Sequence, residues 1–505
     1  MNKESSNYIQ AENRKQQMFF PPSIDEYISS DNPVRAIDDY VELLDIKELG
    51  FKSNKNILDG RPAYSPKLLL KIYIYGYLNR IRSSRKLERE IQRNIELMWL
   101  CSNLKPSYKT ISDFRRDNSK ALKRVFREFT LLCKNIDLIS GDIVAVDGAF
   151  LRANASKNQL LMKKTIEKDI KKIDERVEEY LKDLDYIDAK EKKDKDLTPP
   201  STTLDKLKAK KAKLDSELKL LEELGITQYN QTDPDAKLMV KPAHNLMAYN
   251  TQIVVDSKWK FIVATDVSSK NNDNSKLHQM ALKTKEIVNN DNMTLLADAG
   301  YYSAKEIDKC YKDNIDIYVP FSDNEKRQKD NGCFPHSKFI YNKDTDSYTC
   351  PNNQILTKQN APIVKENGTK SYIYTTKRAI CKACPLKDKC IPDNTSRKRV
   401  THLEYIQTIT EHKEKMQTKE AKEMMKKRAS LAEHPFGTIK RALGWDHFLV
   451  RGLEKVSGEN ALIMFTYNFR RLLNILGITL FRELIKAIKK GNIEIIKPKI
   501  AQVLA

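Results

Sequence analysis

The sequence predicts a mixed α/β protein with a helical N-terminal domain, and three observations predict it. From Met18 to about Asp117 the pattern is helical. Apolar runs too short for helices then appear, beginning with Ile143–Val146 between Gly141 and Gly148. Helical stretches separate the later runs, giving the order strand, hairpin, helix, strand, helix, strand of a partly parallel mixed sheet.

The 505 residues leave room for about three or four domains. With 90 Lys plus Arg against 68 Asp plus Glu, the net charge is +22. A balance this basic points to a polyanion, most commonly nucleic acid; a lysine-rich surface without that role is the plain alternative. The 15 glycines are scattered, with no Gly-x-Gly pair and no G-x-x-x-x-G-K run, which argues against Rossmann and P-loop nucleotide chemistry. The polar start MNKESSNYIQAENRKQQ lacks the apolar stretch of a signal peptide, and Leu472–Phe481 is too short to span a bilayer. A cytoplasmic protein is expected, with its eight cysteines as reduced thiols or metal ligands.

In the helical region Pro66 opens the apolar run KLLLKIYIYGYLN, which ends in the basic stretch Arg80–Arg85. A second helix is expected over about Ser84–Cys101, and a third after Pro106, with Ser107 as N-cap and Arg115 and Arg116 near its end. Helices joined in this way suit a helix-turn-helix-like unit as well as they suit an ordinary helical subdomain with a basic face. Residues 158–224 carry Ile166, Ile170, Ile173, Val177, Tyr180 and Leu184, then Leu207, Leu214 and Leu221, around the proline break DKDLTPPSTT. That heptad seam predicts an antiparallel helical hairpin inserted as an arm.

Beyond the arm, YNTQIVVDSKWKFIVATDV predicts two strands meeting near Asp256, and MTLLADAGYYS predicts a strand ending at Asp298. A helix over about Ser303–Asp313 and a strand at Ile315–Pro320 follow. Residues 322–410 read as a polar, lysine-rich insertion bearing cysteines, and helices return from about Ile406 to Leu443 and through GLEKVSGENALIMFTYNFRRLLNIL.

Asp147 and Asp298 thus stand where two buried strands leave the core of a basic protein, an arrangement suited to a hard divalent cation. Glu433, between Lys426, Lys427, Arg428 and the later Lys440 and Arg441, is the candidate third carboxylate. Taken singly, an aspartate at a strand end is most often a turn former or cap, the role expected of Asp142, Asp256 and Asp266. A glutamate on a lysine-rich helix is usually a surface charge.

The segments GRPAYSPKLLLKIYIYGYLN, VAVDGAF, TDPDAKLM with HNLMAYNTQIVVD, LLADAGYYS and AEHPFGTIKRALG…FLVRGLEKVSGENALIMFTYNFRR occur in one order over most of residues 18–475. In these the chain resembles the bacterial insertion-sequence transposases of the DDE class. The resemblance implies an RNase H-like catalytic domain in which Asp147, Asp298 and Glu433 bind two Mg²⁺ (or Mn²⁺) ions. It implies that Lys440 contacts transposon-end phosphates, with Arg428 and Arg441 as further DNA contacts. Related chains carry an arginine four residues before the glutamate; here Ala429 stands there, beside Arg428.

The implied activity is cleavage at terminal inverted repeats and joining of the freed 3′-OH to target DNA, by a homodimer or larger assembly with no membrane partner. Lys109, Arg115 and Arg116 are the expected end-recognition residues. The implied domains are a polar tail over 1–17, a DNA-binding domain over 18–135, a catalytic domain over 136–475 and a C-terminal helical tail over 476–505. The catalytic domain would carry the insertions 158–224 and 322–410. A non-catalytic DNA-binding descendant and a structure-selective nuclease are the competing functions.

Cys350, Cys381, Cys384 and Cys390 form C-x30-C-x2-C-x5-C, a pattern that suits one structural Zn²⁺ held by four thiolates, with Cys333 and His336 as spare donors. Four unligated thiols in a loose insertion are the alternative. Cys101, Cys133 and Cys310 lie in apolar helical contexts and are expected as buried core thiols.

Overall fold

The computed structural model describes residues 23–504 apart from 53–61, 192–200, 241–244, 322–332, 360, 365–368 and 392–394; the side chains of 183–191, 201–203 and 433 are also outside the described set. The expected tail over 1–17, most of the DKDLTPPSTT break and the Leu184 side chain therefore lie outside it. The chain forms two compact units, one of Met1–Ala121 with Phe469–Ala505 and one of Leu122–Asn468.

The first unit is helical. Helix α1 (Pro33–Leu43) starts at Asn32, whose side chain accepts from Val34 N, with Pro33 at a position that needs no donor. Helix α2 (Pro66–Leu78) is buried from Leu68 to Tyr77, as its apolar run requires. The single helix expected over 84–101 is two, α3 (Ser84–Arg93) and α4 (Ile95–Leu100). Asn94 restarts the second by accepting from the amides of Glu96 and Leu97. Helix α5 (Tyr108–Asp117) is capped by Ser107 as expected.

Residues from Phe469 onward belong to this unit and are not a separate tail. Leu472, Leu476, Phe481, Leu484 and Ile485 are buried, and an apolar face of that size needs a partner. Arg482 Nε donates to Asp39 at 2.6 Å, and the Tyr40 and Phe469 rings lie 5.9 Å apart. The long helical span Leu453–Lys489 turns at Gly477, whose φ of 72° suits glycine.

The second unit is built on a six-stranded mixed sheet. Its strands are β1 (Ile143–Arg152), β4 (Lys237–Val240), β5 (Asn245–Asp256), β6 (Ile262–Ser268), β7 (Thr294–Leu296) and β8 (Asp316–Tyr318). The order is β4-β5-β1-β7-β8, with β6 following β4 along the other edge of β5. β1 is antiparallel to β5 and parallel to β7, and β7 is parallel to β8. This is the expected element order. Asp256 closes its turn by accepting from Gly141 N and Lys258 N, at 2.8 and 2.9 Å. Asp266 is no cap; it pairs with Lys276 at 3.0 Å and Lys283 at 2.7 Å.

The arm lies between β1 and β4. Its helices, α6 (Lys163–Glu191) and α7 (Ser201–Glu223), run antiparallel, since Lys163 meets Glu222 and Lys211 meets Asp174. Ile166, Ile170, Leu214, Leu218 and Leu221 form its seam, and a small pair of strands, β2 (Leu160–Met162) and β3 (Gln228–Asn230), closes its base.

Residues 340–403 hold structure that the sequence reading treated only as a polar insertion. They form a second sheet of six short antiparallel strands, β9 (Ile340–Asn342), β10 (Ser347–Thr349), β11 (Ile355–Lys358), β12 (Ile363–Val364), β13 (Lys370–Thr375) and β14 (Arg399–Leu403). Phe339, Tyr348, Leu356, Tyr374 and Val400 form its core. Among the described residues no helix is long and apolar enough to cross a membrane.

Candidate active site beyond the β1–β7 pairing

The register of two parallel strands places the two predicted aspartates together. Ala145 of β1 pairs with Leu296, the last residue of β7, and Asp147 and Asp298 stand two residues beyond that pair. Asp147 is not at a strand end as expected: it lies in the middle of β1, which continues to Arg152 against β5. Side chains alternate along a strand, so both carboxylates leave the sheet on the face of Ala145 and Leu296. That face is covered by the helix Lys419–Gly437, whose Ala421 and Leu431 pack with Ala145, Leu296 and Tyr318, while Met424 and Met425 fill the edges. Positions 421, 424, 425, 428 and 431 make one helical stripe, and Arg428 is its only charged member.

Arg428 Nη2 donates to Asp147 Oδ1 at 3.1 Å and to Asp298 Oδ2 at 3.3 Å. One guanidinium nitrogen thus bridges the two carboxylates. Among the described residues its Nε, also buried, has no hydrogen-bond partner. Asp298 caps the short turn Ala299–Tyr301, with Oδ1 accepting from Gly300 N at 2.8 Å, so its other oxygen is the one turned to Arg428. Burial pushes the Asp147 carboxyl up to about 6, against the lowering by Arg428 and by the Gly148 amide; Asp298 and Asp273 push it further up.

Asp273 was not singled out in the sequence, nor were Asn250, Gln252 and Tyr301. Asn250 and Gln252 are fully buried amides on β5, and Gln252 pairs across the sheet with Gly148. Both donate to Asp273 Oδ1, at 2.7 and 2.5 Å, and the Tyr301 hydroxyl donates to Gln252 Oε1. A Cβ at Gly148 would lie 2.6 Å from Gln252 Nε2 and 3.0 Å from Asp273 Oδ1, so only glycine fits. Two amides alternating in the otherwise apolar AYNTQIVVD were the available signal.

Glu433 lies on the same helix, five residues after Arg428, and its side chain is outside the described residues. The helix contains Pro435 and widens into a π turn over Thr438–Ala442, so the register that would bring Lys440 onto the face of Glu433 is altered. Lys440 Nζ sits 5.8 Å from the Phe436 ring, and Arg441 is exposed. Lys109 is exposed as well. Arg115 is not available as a DNA contact: it is buried, donates to the Tyr77 hydroxyl at 3.1 Å and stacks over Tyr73. Arg116 pairs with Asp113 and Asp117, at 2.6 and 2.7 Å, which offsets its charge.

Cys350, Cys381, Cys384 and Cys390 line one cavity of about 30 Å³ beside the second sheet; Cys333 and His336 are not among its lining residues. Burial, with the other three thiols, pushes the Cys390 thiol above its usual range, while Lys398 opposes this. Among the described residues, however, no three His, Cys, Asp or Glu side chains stand close enough to hold a metal ion. Cys101, Cys133 and Cys310 are buried core thiols, as expected.

Two carboxylates neutralised by one bridging cation have the donor chemistry of a hard divalent-ion site, with Arg428 standing in for the ion. Comparison with known proteins bears on this arrangement. A family model described as a transposase domain (DUF772) matches residues 22–117, and one described as a transposase DDE domain matches residues 349–473. The second match includes Arg428, Glu433 and Lys440 and does not reach Asp147 or Asp298. A solved piggyBac transposase synaptic complex with hairpin DNA aligns over 94% of this chain and 79% of that one, at 9% identity and a TM-score of 0.30, a likeness too slight to carry an argument. No curated protein matches the chain. The two transposase models match in succession along one polypeptide, and together they support an insertion-sequence DDE transposase.

Proposed function

We propose that the protein binds the terminal inverted repeats of its own insertion sequence and catalyses strand cleavage and strand transfer by two-metal-ion phosphoryl transfer. The observation that carries the reading is the placement of Asp147 and Asp298 side by side, just beyond the last β1–β7 pair and bridged by the Arg428 guanidinium. The strand order, with three antiparallel strands followed by two parallel ones, supports assigning the sheet to the RNase H-like class. Asp147, Asp298 and Glu433 would hold Mg²⁺ or Mn²⁺. When bound, such ions activate the attacking oxygen and stabilise the leaving oxygen.

The chain's own residues do the rest. β1 and β7 hold the carboxylates at fixed separation, and the Asp298 cap fixes which of its oxygens faces the site. Arg428 neutralises both carboxylates in the resting protein and, once displaced, would be a cation beside the two aspartates where a phosphate would lie. Lys109, Lys440 and Arg441 supply charge to the DNA backbone, and binding weakens steeply with salt. Two ends must be brought together, so the working form is a dimer or larger. For the second sheet, the C-x2-C spacing and the shared cavity support one Zn²⁺, which requires the four thiols to close in on that cavity.

The test uses a duplex carrying the element's end, supercoiled target DNA and Mg²⁺. Joined products are expected. Cutting without joining would replace this reading with that of a nuclease.

A further inference from the structure

Asp273 belongs to the loop between β6 and the helix Leu277–Val288. Its setting is built. Asn250 and Gln252, both fully buried on β5, each donate to one oxygen, Oδ1, and Gln252 Nε2 also donates to Asn250 Oδ1 at 2.9 Å. Burying two amides costs free energy unless they are paired, and their shared partner is this carboxylate. Gln252 also receives the hydroxyl of Tyr301, itself fully buried, at the end of the turn that Asp298 caps. One chain of hydrogen bonds therefore links Asp273 to the segment that positions Asp298.

The second oxygen is left open. Among the described residues Oδ2 accepts no hydrogen bond, and it faces Gly300, where a Cβ would lie 3.8 Å from it and 3.0 Å from Asp298 Oδ1. Gly148, next to Asp147, gives Asp273 the room to approach. A carboxylate clamped through one oxygen, with the other turned toward Asp298 and solvent, resembles the outer partners that orient metal-binding groups and set the charge around them.

We propose that Asp273 is a positioning carboxylate of the cation site: through the Gln252–Tyr301 link it holds the Asp298 turn, and its charge strengthens divalent-cation binding. This rests on the reading of Asp147 and Asp298 as cation ligands.

The test measures Mn²⁺ binding to the full chain without DNA, by electron paramagnetic resonance titration, for wild type, Asp273→Asn, Asp273→Ser, Asp273→Glu and Asp147→Asn. Melting curves in chelator accompany each variant. In Asp273→Asn the side-chain oxygen still accepts from Asn250 and Gln252, so its fold is retained while the charge is lost. Mn²⁺ binding about ten-fold weaker in Asp273→Asn and Asp273→Ser is expected, with partial recovery in Asp273→Glu. Wild-type binding by both charge-removing variants, alongside weakened binding in Asp147→Asn, would overturn the role of Asp273. Wild-type binding by Asp147→Asn as well would instead overturn the reading of the site.

Discussion

A single nitrogen of Arg428, Nη2, lies 3.1 Å from Asp147 and 3.3 Å from Asp298, so one side chain balances both carboxylates. A divalent ion bound to those same oxygens must displace it. Arg428→Gln removes the counter-charge and leaves two half-buried carboxylates facing each other. The loss is expected to cost about 3 kcal/mol in chelator, as for other broken buried pairs. Mg²⁺ should raise the melting temperature of the variant more than that of wild type. Equal increments would mean that Arg428 and the ion do not compete.

Gly148 and Gly437 make a matched pair of tests. Gly148→Ala drives a Cβ to 2.6 Å from Gln252 Nε2, and overpacking of this kind costs about 1–3 kcal/mol. Urea unfolding should show that loss, with cleavage activity falling as the amide clamp shifts. A Cβ at Gly437, at the end of the helix carrying Arg428, meets nothing within 4 Å. Gly437→Ala should therefore be neutral or stabilise by up to about 1 kcal/mol. A larger loss at 437 than at 148 would contradict the packing described.

His412 gives the pH dependence. It is fully buried on the helix Ile406–Gln417; its Nε2 donates to Val319 O at 2.9 Å, and Nδ1 accepts from the Tyr311 hydroxyl at 2.6 Å. Acceptance at Nδ1 needs the neutral ring, and burial holds its pKa below the usual 6.5, against the raising effect of the Val319 bond. The unfolded chain then binds the proton first, so this contribution to stability is complete above 6.5 and lost as pH falls through the lower folded value. His412→Gln should be less stable than wild type at neutral pH, with the gap narrowing as the solution is acidified. A gap independent of pH would show that the ring titrates alike in the folded and unfolded chain, contradicting the lowered value.

The two aspartates were legible as the acids that follow the apolar runs Ile143–Val146 and Leu295–Ala297. The strand end expected at Asp147 is absent, because Gly148 does not stop β1, which stays paired with β5 as far as Arg152. Their pairing was not legible, since it depends on the register Ala145–Leu296 between residues 151 positions apart in the chain. Asp273 was hidden in the polar run KNNDNSK; only the amides of Asn250 and Gln252, brought from β5, distinguish it from its neighbours. Arg115 was misread because helical spacing does not say which face meets Tyr73 and Tyr77. The second sheet escaped because its strands are only two to six residues long and stand among lysine-rich loops, with no run that stands out.

The four cysteines around the small cavity support one metal prediction. Elemental analysis of the purified protein should find about one zinc per chain, lost in Cys384→Ser together with the fold of residues 340–403. Wild-type protein without zinc would remove the assignment.

The most direct measurement is Mg²⁺-dependent cleavage of a labelled duplex carrying the element's end, by wild type, Asp147→Asn, Asp298→Asn and Glu433→Gln. Cleavage at the end by wild type alone is expected, with all four proteins still binding the duplex. Cleavage at the wild-type rate by any of the three variants would contradict the assignment of these carboxylates to the active site.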